Sequence, residues 1–356
     1  VSRKPPNAAK AQRRVKLAHH AAGRHGGADG RRRHGREQGH RLCHRAAAPG
    51  VRKETTQHTS RRAATSCFHC VELCQEATSA MIVTFFHPKI SCTCLLLRRA
   101  QKNARQLLPT VSVLILACRD EGRGREAARQ IMASAAESRA TTEVAVETLD
   151  LADSSSVAAF AETIRSKYGR LDTLVNNGAI AFKAADPTPF REQCAPTLAP
   201  NFYGTVALTE ALWPLLCASP RGRLVNVASV SGRLSQLRAD RQKQVADPAL
   251  TVDELKGLVD EFVVDVGAGR HREKGWGSSN YGLSKCALIA YTKVKARDAP
   301  ETLKVNCCCP GYCDTDMASH KGPRAPAVGA RNAVMLAVPE CAYHGEFISD
   351  EQPATW

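Results

Sequence analysis

The sequence predicts an α/β protein built on a doubly wound parallel sheet, and three observations carry that expectation. From residue 111 onward, apolar runs of strand length alternate with stretches of helical periodicity. The first of those runs, 111–117, is apolar along nearly its whole length rather than at every second position, as befits a strand covered on both faces. Residues able to do chemistry follow those runs directly, where sheets of this kind bind ligands.

Taken in order, residues 111–117 form a strand and 122–136 a helix. A strand over 144–149, a Ser-capped helix over 154–167 and a strand over 173–175 come next. They are followed by a helix over 193–216, interrupted near Pro196 and Pro200, and a strand over 223–227. A helix over 279–297 and a strand over 303–308 continue the alternation, which at this spacing means βαβ units. Residues 234–275 are an excursion whose amphipathic stretch 251–265 predicts an inserted helical arm. Upstream, 81–86 and 90–97 are apolar enough for strands, and 98–108 suits a helix ended by Pro109.

Charge divides the chain. Residues 1–110 hold 22 Lys/Arg against 5 Asp/Glu, whereas residues 111–356 hold 28 against 29. Residues 1–80 read as a basic low-complexity leader that buries too little apolar surface to order itself, and 81–356 as the folded domain. The leader's Arg clusters offer a polyanion-binding reading. The near-neutral remainder instead fits an enzyme of small molecules and speaks against a nucleic-acid partner. The 15 cysteines, in a chain this long without a signal peptide, suit reduced thiols and a cytoplasmic location. No apolar run approaches the ~20 residues needed to span a bilayer, so no membrane partner is expected. Cys67, Cys70 and Cys74 lack a second ligand pair of finger-like spacing, since Cys92 and Cys94 stand too close together, and no metal site is expected.

Arg119 and Asp120 follow the first of the regular strands, Asp150 the second and Asn176-Asn177-Gly178 the third. Ser229 and Ser231 follow the fourth, and Pro310-Gly311 the fifth. Tyr281 and Lys285 stand four residues apart on one helix face. An ammonium there is expected to lower the phenol pKa and make Tyr281 a proton relay to a ketone receiving hydride. Ser229 is placed to hydrogen-bond the developing alkoxide.

Asn176-Asn177-Gly178-Ala179, Asn226-Val227-Ala228-Ser229, Tyr281-x3-Lys285 and Pro310-Gly311-x3-Thr315 resemble, in order, the signature motifs of the short-chain dehydrogenase/reductase superfamily, a Rossmann-type fold. The stretch 181–190, Glu273-Lys274-Gly275-Trp276 and Cys308-Cys309-Pro310-Gly311-Tyr312 are similar to its carbonyl reductase branch. Members of that branch carry a helical insertion where residues 234–275 lie, and tend to be monomers.

The resemblance implies NADPH-dependent reduction of ketones, aldehydes or quinones. It makes Tyr281 the general acid, Lys285 its electrostatic and ribose-binding partner, Ser229 the donor to the carbonyl oxygen, and Asn201 the holder of a relay water. For the cofactor it implies Arg119 at a 2′-phosphate, Asp150 and Leu151 beside adenine, Asn177 on the ribose side, and Tyr281 as a further binding residue. Pro310, Gly311, Cys313 and Thr315 would lie along the nicotinamide. Phe182, Lys183 and Gln193 match positions near bound glutathione conjugates, and Trp276 and Tyr312 would line an apolar substrate wall.

Two departures from the family pattern stand out. The family opens with a strand, a Thr-Gly-x3-Gly-x-Gly turn and a helix whose N-terminus holds the pyrophosphate. Here no glycine occurs between Gly50 and Gly122. The first strand and its glycine turn are thus missing or replaced, with 81–86 and 90–97 as replacement candidates. The order Gly178-Ala179 also puts a Cβ where the family keeps its backbone bare. These departures sustain an alternative: a degenerate, non-catalytic relative, or a mispredicted N-terminus over residues 1–103, unable to hold cofactor normally.

Overall fold

The computed structural model describes residues 80–85, 112–135 and 142–356, all within one structural unit. The basic leader, the Cys67–Cys74 cluster and the expected elements over 90–97 and 98–108 lie outside the described residues.

The sequence of β2 (Val113–Cys118), VLILAC, shows how the sheet is made. Ile115 and Ala117 enter one core cluster, while Leu114 and Leu116 enter another. Alternation along a strand sends neighbours to opposite faces, so a strand covered on both sides carries apolar residues at consecutive positions. Beside β2 lie β1 (Ala80–Phe85) and β3 (Glu143–Thr148). Then follow β4 (Thr173–Asn176), β5 (Gly222–Val227), β6 (Leu303–Cys309), β7 (Phe347–Ser349) and β8 (Gln352–Pro353). The sheet order is β3-β2-β1-β4-β5-β6-β7-β8, parallel as far as β7 and antiparallel at β8.

The first strand is therefore replaced rather than missing, and by the earlier of the two candidate runs. Ile82 pairs with Ile115 of β2 on one side and Leu174 of β4 on the other. The run AMIVTF is apolar and partly β-branched, as a central parallel strand requires. The chain winds outward from β1 to β3, then returns to place β4 against β1's other edge. The switch point lies between β1 and β4, and the crevice outside the carboxyl ends of the strands opens there.

Helices cover both faces. On one side lies α1 (Glu121–Ala135). The other carries α2 (Ser154–Thr163), which ends in a π turn, Ile164–Tyr168, closed by Gly169 at φ 68°. The cap of α2 is Asp153, whose carboxylate accepts from Ser155 N, rather than Ser154. The helix expected over 193–216 begins earlier and comes in three parts: α3 (Phe190–Leu198), a π turn (Ala199–Gly204) and α4 (Thr205–Ala218). Pro200 has no amide to give the preceding turn and its ring would meet the carbonyl of Pro196, so the helix widens there.

Within 234–275 lie α5 (Ala239–Val245) and α6 (Val252–Gly267). A reciprocal pair, Thr251 with Glu254, starts α6. The expected arm thus forms, with Leu255, Val259, Phe262 and Val266 of α6 packed in one cluster with Leu283, Ala287 and Tyr291. Those three belong to α7 (Asn280–Arg297), a helix buried on almost every side. The sequence gives no expectation for α8 (Pro326–Gly329), α9 (Arg331–Ala337), β7 or β8, because elements this short carry too few repeats for a period to register.

Ile82→Pro tests the assignment of β1. A proline in a central strand deletes a ladder donor, and the full-length variant is expected to lose the cooperative melting transition in a circular dichroism scan. A wild-type melting curve would contradict a central β1.

Candidate active site

Ser279 caps α7 by accepting from Gly282 N at 2.8 Å. The cap puts Tyr281 in the helix's first turn and Lys285 one turn later. Lys285 is only 2% exposed, and its Nζ donates to the carbonyl of Val227, at the end of β5, at 2.7 Å. Two residues on stands Ser229, near enough to the Tyr281 hydroxyl to favour its ionisation, while its own Oγ accepts from Ser231 N at 3.1 Å. Three of the four expected catalytic side chains, Ser229, Tyr281 and Lys285, are therefore brought together.

Their electrostatics differ from the sequence expectation. Loss of solvent pushes the Tyr281 phenol up to about 12, with the nearby Ser229 hydroxyl working in the opposite direction. Burial likewise pushes Lys285 from 10.5 down to about 8. The expected lowering of the phenol by the ammonium does not occur. Lys285 Nζ stands 5.7 Å from the centre of the tyrosine ring and gives a proton to a backbone carbonyl instead. Desolvation of the phenolate outweighs what an ammonium at that distance returns. At neutral pH Tyr281 carries its proton.

Asn201 sits in the π turn between α3 and α4, fully buried. Its Oδ1 accepts from Ile180 N at 2.8 Å, and its Nδ2 donates to Ile180 O at 2.8 Å and to Ser284 Oγ at 3.2 Å. One amide thus ties the segment after β4 to the catalytic helix. A second buried network, which sequence reading missed, does the same for the sheet. Asn176 Nδ2 donates to Thr209 Oγ1 of α4 and to Asn226 Oδ1 of β5, both at 2.9 Å. Asn226 Nδ2 in turn donates to Thr292 Oγ1 of α7 at 2.9 Å. Two asparagines inside apolar strand runs were the available signal, because buried amides must find partners.

The expected cofactor positions lie at the strand ends. Arg119 Nη1 is 3.8 Å from Asp150 Oδ2, with the two side chains 29% and 27% exposed. Asn177 is half-buried, its amide bonded to Val175 O at 3.1 Å. Leu151, expected beside adenine, has its side chain in the core. Its carbonyl runs so close beneath Gly204 that a Cβ there would stand 1.8 Å away. Beyond β6, Gly311 takes φ 77°, and Pro310 O accepts from Arg324 Nη1 and Cys313 Sγ, both at 3.2 Å. Thr315 is buried, its Oγ1 donating to Cys313 O at 3.4 Å.

The expected substrate residues divide. Tyr312 is 56% exposed at the mouth of the loop after β6. Phe182 is half-buried and Lys183 exposed, while Gln193 uses its amide to hold Thr188 O at 2.7 Å. Trp276 instead lies in the core of the insertion. Its indole N–H donates to Asp265 Oδ2 at 2.9 Å, and the Arg241 guanidinium stands 4.0 Å over its ring. Val230, an exposed apolar residue directly after Ser229, was not anticipated. Among the described residues no cluster of three or more His, Cys, Asp or Glu could hold a metal ion, and no helix is long and apolar enough to cross a membrane.

The charges make two outcomes measurable. His320 is held between Asp314 at 2.8 Å and Asp316 at 2.7 Å, and these hydrogen bonds raise its pKa above 6.5. A raised folded-state value means the pair's contribution is complete below 6.5 and fades as pH rises through the raised value. Amide exchange over residues 314–321 should therefore accelerate with pH beyond its intrinsic dependence, and His320→Ala should remove the excess. Lys285→Met should raise the melting temperature, since burying the ammonium costs on the order of 3 kcal/mol at neutral pH. A lower melting temperature would mean the amine stabilises the fold.

A family model described as short chain dehydrogenase matches residues 104–239 and 262–325, skipping most of α5 and α6. "Carbonyl reductase [NADPH] 1" of Sus scrofa is 37% identical over 253 residues, covering 68% of this chain and 85% of that protein. The Homo sapiens protein of the same name is also 37% identical, over 68% and 88%. Among solved structures, salutaridine reductase from Papaver somniferum superposes with a TM-score of 0.63 at 26% identity, covering 76% of this chain and 99% of that one. Menthone neomenthol reductase from Mentha piperita gives 0.61 at 27% identity, covering 76% and 98%. The replaced strand β1 lies upstream of the family match, yet occupies the slot the fold requires. Site, fold and sequence agree: the chain belongs to the short-chain dehydrogenase family.

Proposed function

We propose that this protein reduces carbonyl compounds to alcohols with NADPH as the hydride donor. The observation that carries the reading is a protonated phenol, Tyr281, that has the Ser229 hydroxyl and the buried ammonium of Lys285 for neighbours.

The polar groups at the strand ends fit a dinucleotide. Arg119, partly exposed after β2, suits a phosphate on the adenosine ribose, with Asp150 beside it. Asn177 and the Lys285 ammonium suit ribose hydroxyls, and Pro310, Gly311, Cys313 and Thr315 form the wall for the nicotinamide side. When bound, NADPH supplies the hydride. The connection between β1 and β2 contains no glycine, so the pyrophosphate would be held by side chains and by amides other than those of a glycine turn.

The chain's own residues manage the proton. Ser229 and Tyr281 donate hydrogen bonds to the carbonyl oxygen, strengthening as negative charge develops there. The proton then passes from Tyr281 Oη to that oxygen. With its pKa pushed up to about 12, the phenol remains a stronger acid than an aliphatic alcohol, so the transfer runs downhill. Lys285 stabilises the phenolate left behind, and its attachment to Val227 O keeps it in range.

Val230, directly after Ser229, and Tyr312, on the loop after β6, present exposed apolar surface, which supports ketones, aldehydes or quinones as substrates. Exposed Lys183 offers a counter-charge for the carboxylates of a glutathione-conjugated carbonyl. The insertion covers α7 with apolar side chains that would otherwise be available for pairing, which supports a monomer.

Tyr281→Phe is expected to lower ketone-dependent NADPH oxidation by about 10²- to 10⁴-fold in a protein that still binds NADPH; undiminished turnover would overturn the assignment. In the native protein, kcat should fall as pH rises through about 8, where Lys285 loses its proton. A flat profile across that range would remove Lys285 from the mechanism.

A further inference from the structure

Ser229 and Tyr281 belong to different elements, one on the turn after β5 and the other on α7. Proton transfer needs their hydroxyls at a fixed separation, and a short 3₁₀ turn, Val230–Gly232, is a weak support for one of them. Gln236 lies at the end of the next 3₁₀ turn, Leu234–Gln236. Its Nε2 donates to Ser231 O at 2.9 Å, Arg233 O at 3.1 Å and Gly282 O at 3.2 Å. Two of these carbonyls belong to the Ser229 turn, and the third follows Tyr281 directly. Three carbonyl oxygens around one nitrogen also fix which way the amide points, since the flipped amide would set oxygen against oxygen.

The surroundings leave the clamp little play. A Cβ on Gly282 would stand 2.6 Å from Gln236 Oε1 and 2.9 Å from Ser231 O. One on Gly232 would stand 2.7 Å from Cys286 N and 2.7 Å from Lys285 C. The turn and the helix therefore meet backbone to backbone. From the other side, Trp356 Nε1 donates to Gly232 O at 3.0 Å. Gln236 and Trp356 hold successive parts of one turn against one helix.

We propose that Gln236 is a positioning residue for the reduction: its side-chain amide sets the separation of the Ser229 and Tyr281 hydroxyls by fastening the turn after β5 to the first turn of α7. Trp356 backs the same turn. Gln236 contacts neither substrate nor cofactor in this role, which rests on the reductase reading above.

Gln236→Met keeps the length and packing of the side chain but removes its donors, whereas Gln236→Lys returns a donor of similar reach. The Met variant should lower kcat by about 10- to 100-fold, the range expected for a misplacement of about 1 Å. Its KM for NADPH should stay at the wild-type value, and the Lys variant should recover most of the loss. Hydrogen exchange on the cofactor-free proteins gives a second reading: the amides of residues 231–233 should exchange faster in the Met variant alone. Wild-type kcat in the Met variant, or a loss of kcat that Lys does not rescue, would overturn the positioning role. Unchanged exchange at 231–233 would overturn the clamp itself. Should the wild-type protein turn over no ketone, the reductase reading falls, and the positioning role falls with it. Exchange would then still decide whether the clamp exists.

Discussion

An ammonium group taken out of water must find oxygen, and the site is arranged around that demand. Lys285 is buried among the interior residues of α7, and the oxygen it reaches is the carbonyl of Val227. This hydrogen bond brings the catalytic helix to the end of β5, where the chain must turn. Ser229 falls in that turn, and Gly232 lies against the backbone of Lys285 and Cys286, where a side chain would not fit. The proximity of Ser229, Tyr281 and Lys285 follows from where a buried charge is satisfied. Its cost is visible in the depressed pKa of the amine, consistent with sites that trade stability for a poised charge.

The sheet sets the other half of the site. Without a strand between β2 and β4 there would be no reversal of winding, and no crevice between the strand ends. That strand is Ala80–Phe85, which lies outside the family match. Its pairing on both edges needs only an extended apolar segment of the right length, a requirement many sequences meet. A glycine turn is more demanding, because close approach of backbone to phosphate forbids a Cβ. A strand can therefore be replaced where a phosphate loop cannot readily be, and this chain keeps the strand order without the glycine turn.

Much of the site is legible in the residues alone. Arg119, Asp150, Asn177, Ser229 and Pro310 can be placed because each follows an apolar run, and strand ends are where this architecture gathers its chemistry. Tyr281 and Lys285 are legible as a helical pair. The sign of the phenol shift is not, since spacing reveals a neighbouring charge but not the solvent both groups lose. Nor can sequence choose between 81–86 and 90–97 for β1, two runs of similar texture. Trp276 resembles a substrate wall because it precedes the catalytic helix, yet its indole is held by Asp265. Gln236 and Trp356 act through hydrogen bonds to backbone carbonyls, which leave no residue pattern to read.

What ties the reductase reading to this particular chain is whether a cradle assembled from Arg119, Asp150, Asn177, Lys285 and the loop after Cys309 holds NADPH without a glycine turn. Titrating the full-length protein with NADPH and following nicotinamide fluorescence tests this directly. Saturable binding at micromolar cofactor, weakened by Arg119→Ala and tighter than NADH, is the expected result. No binding at millimolar NADPH would contradict it, leaving a dehydrogenase fold that carries the proton-transfer groups but not the hydride.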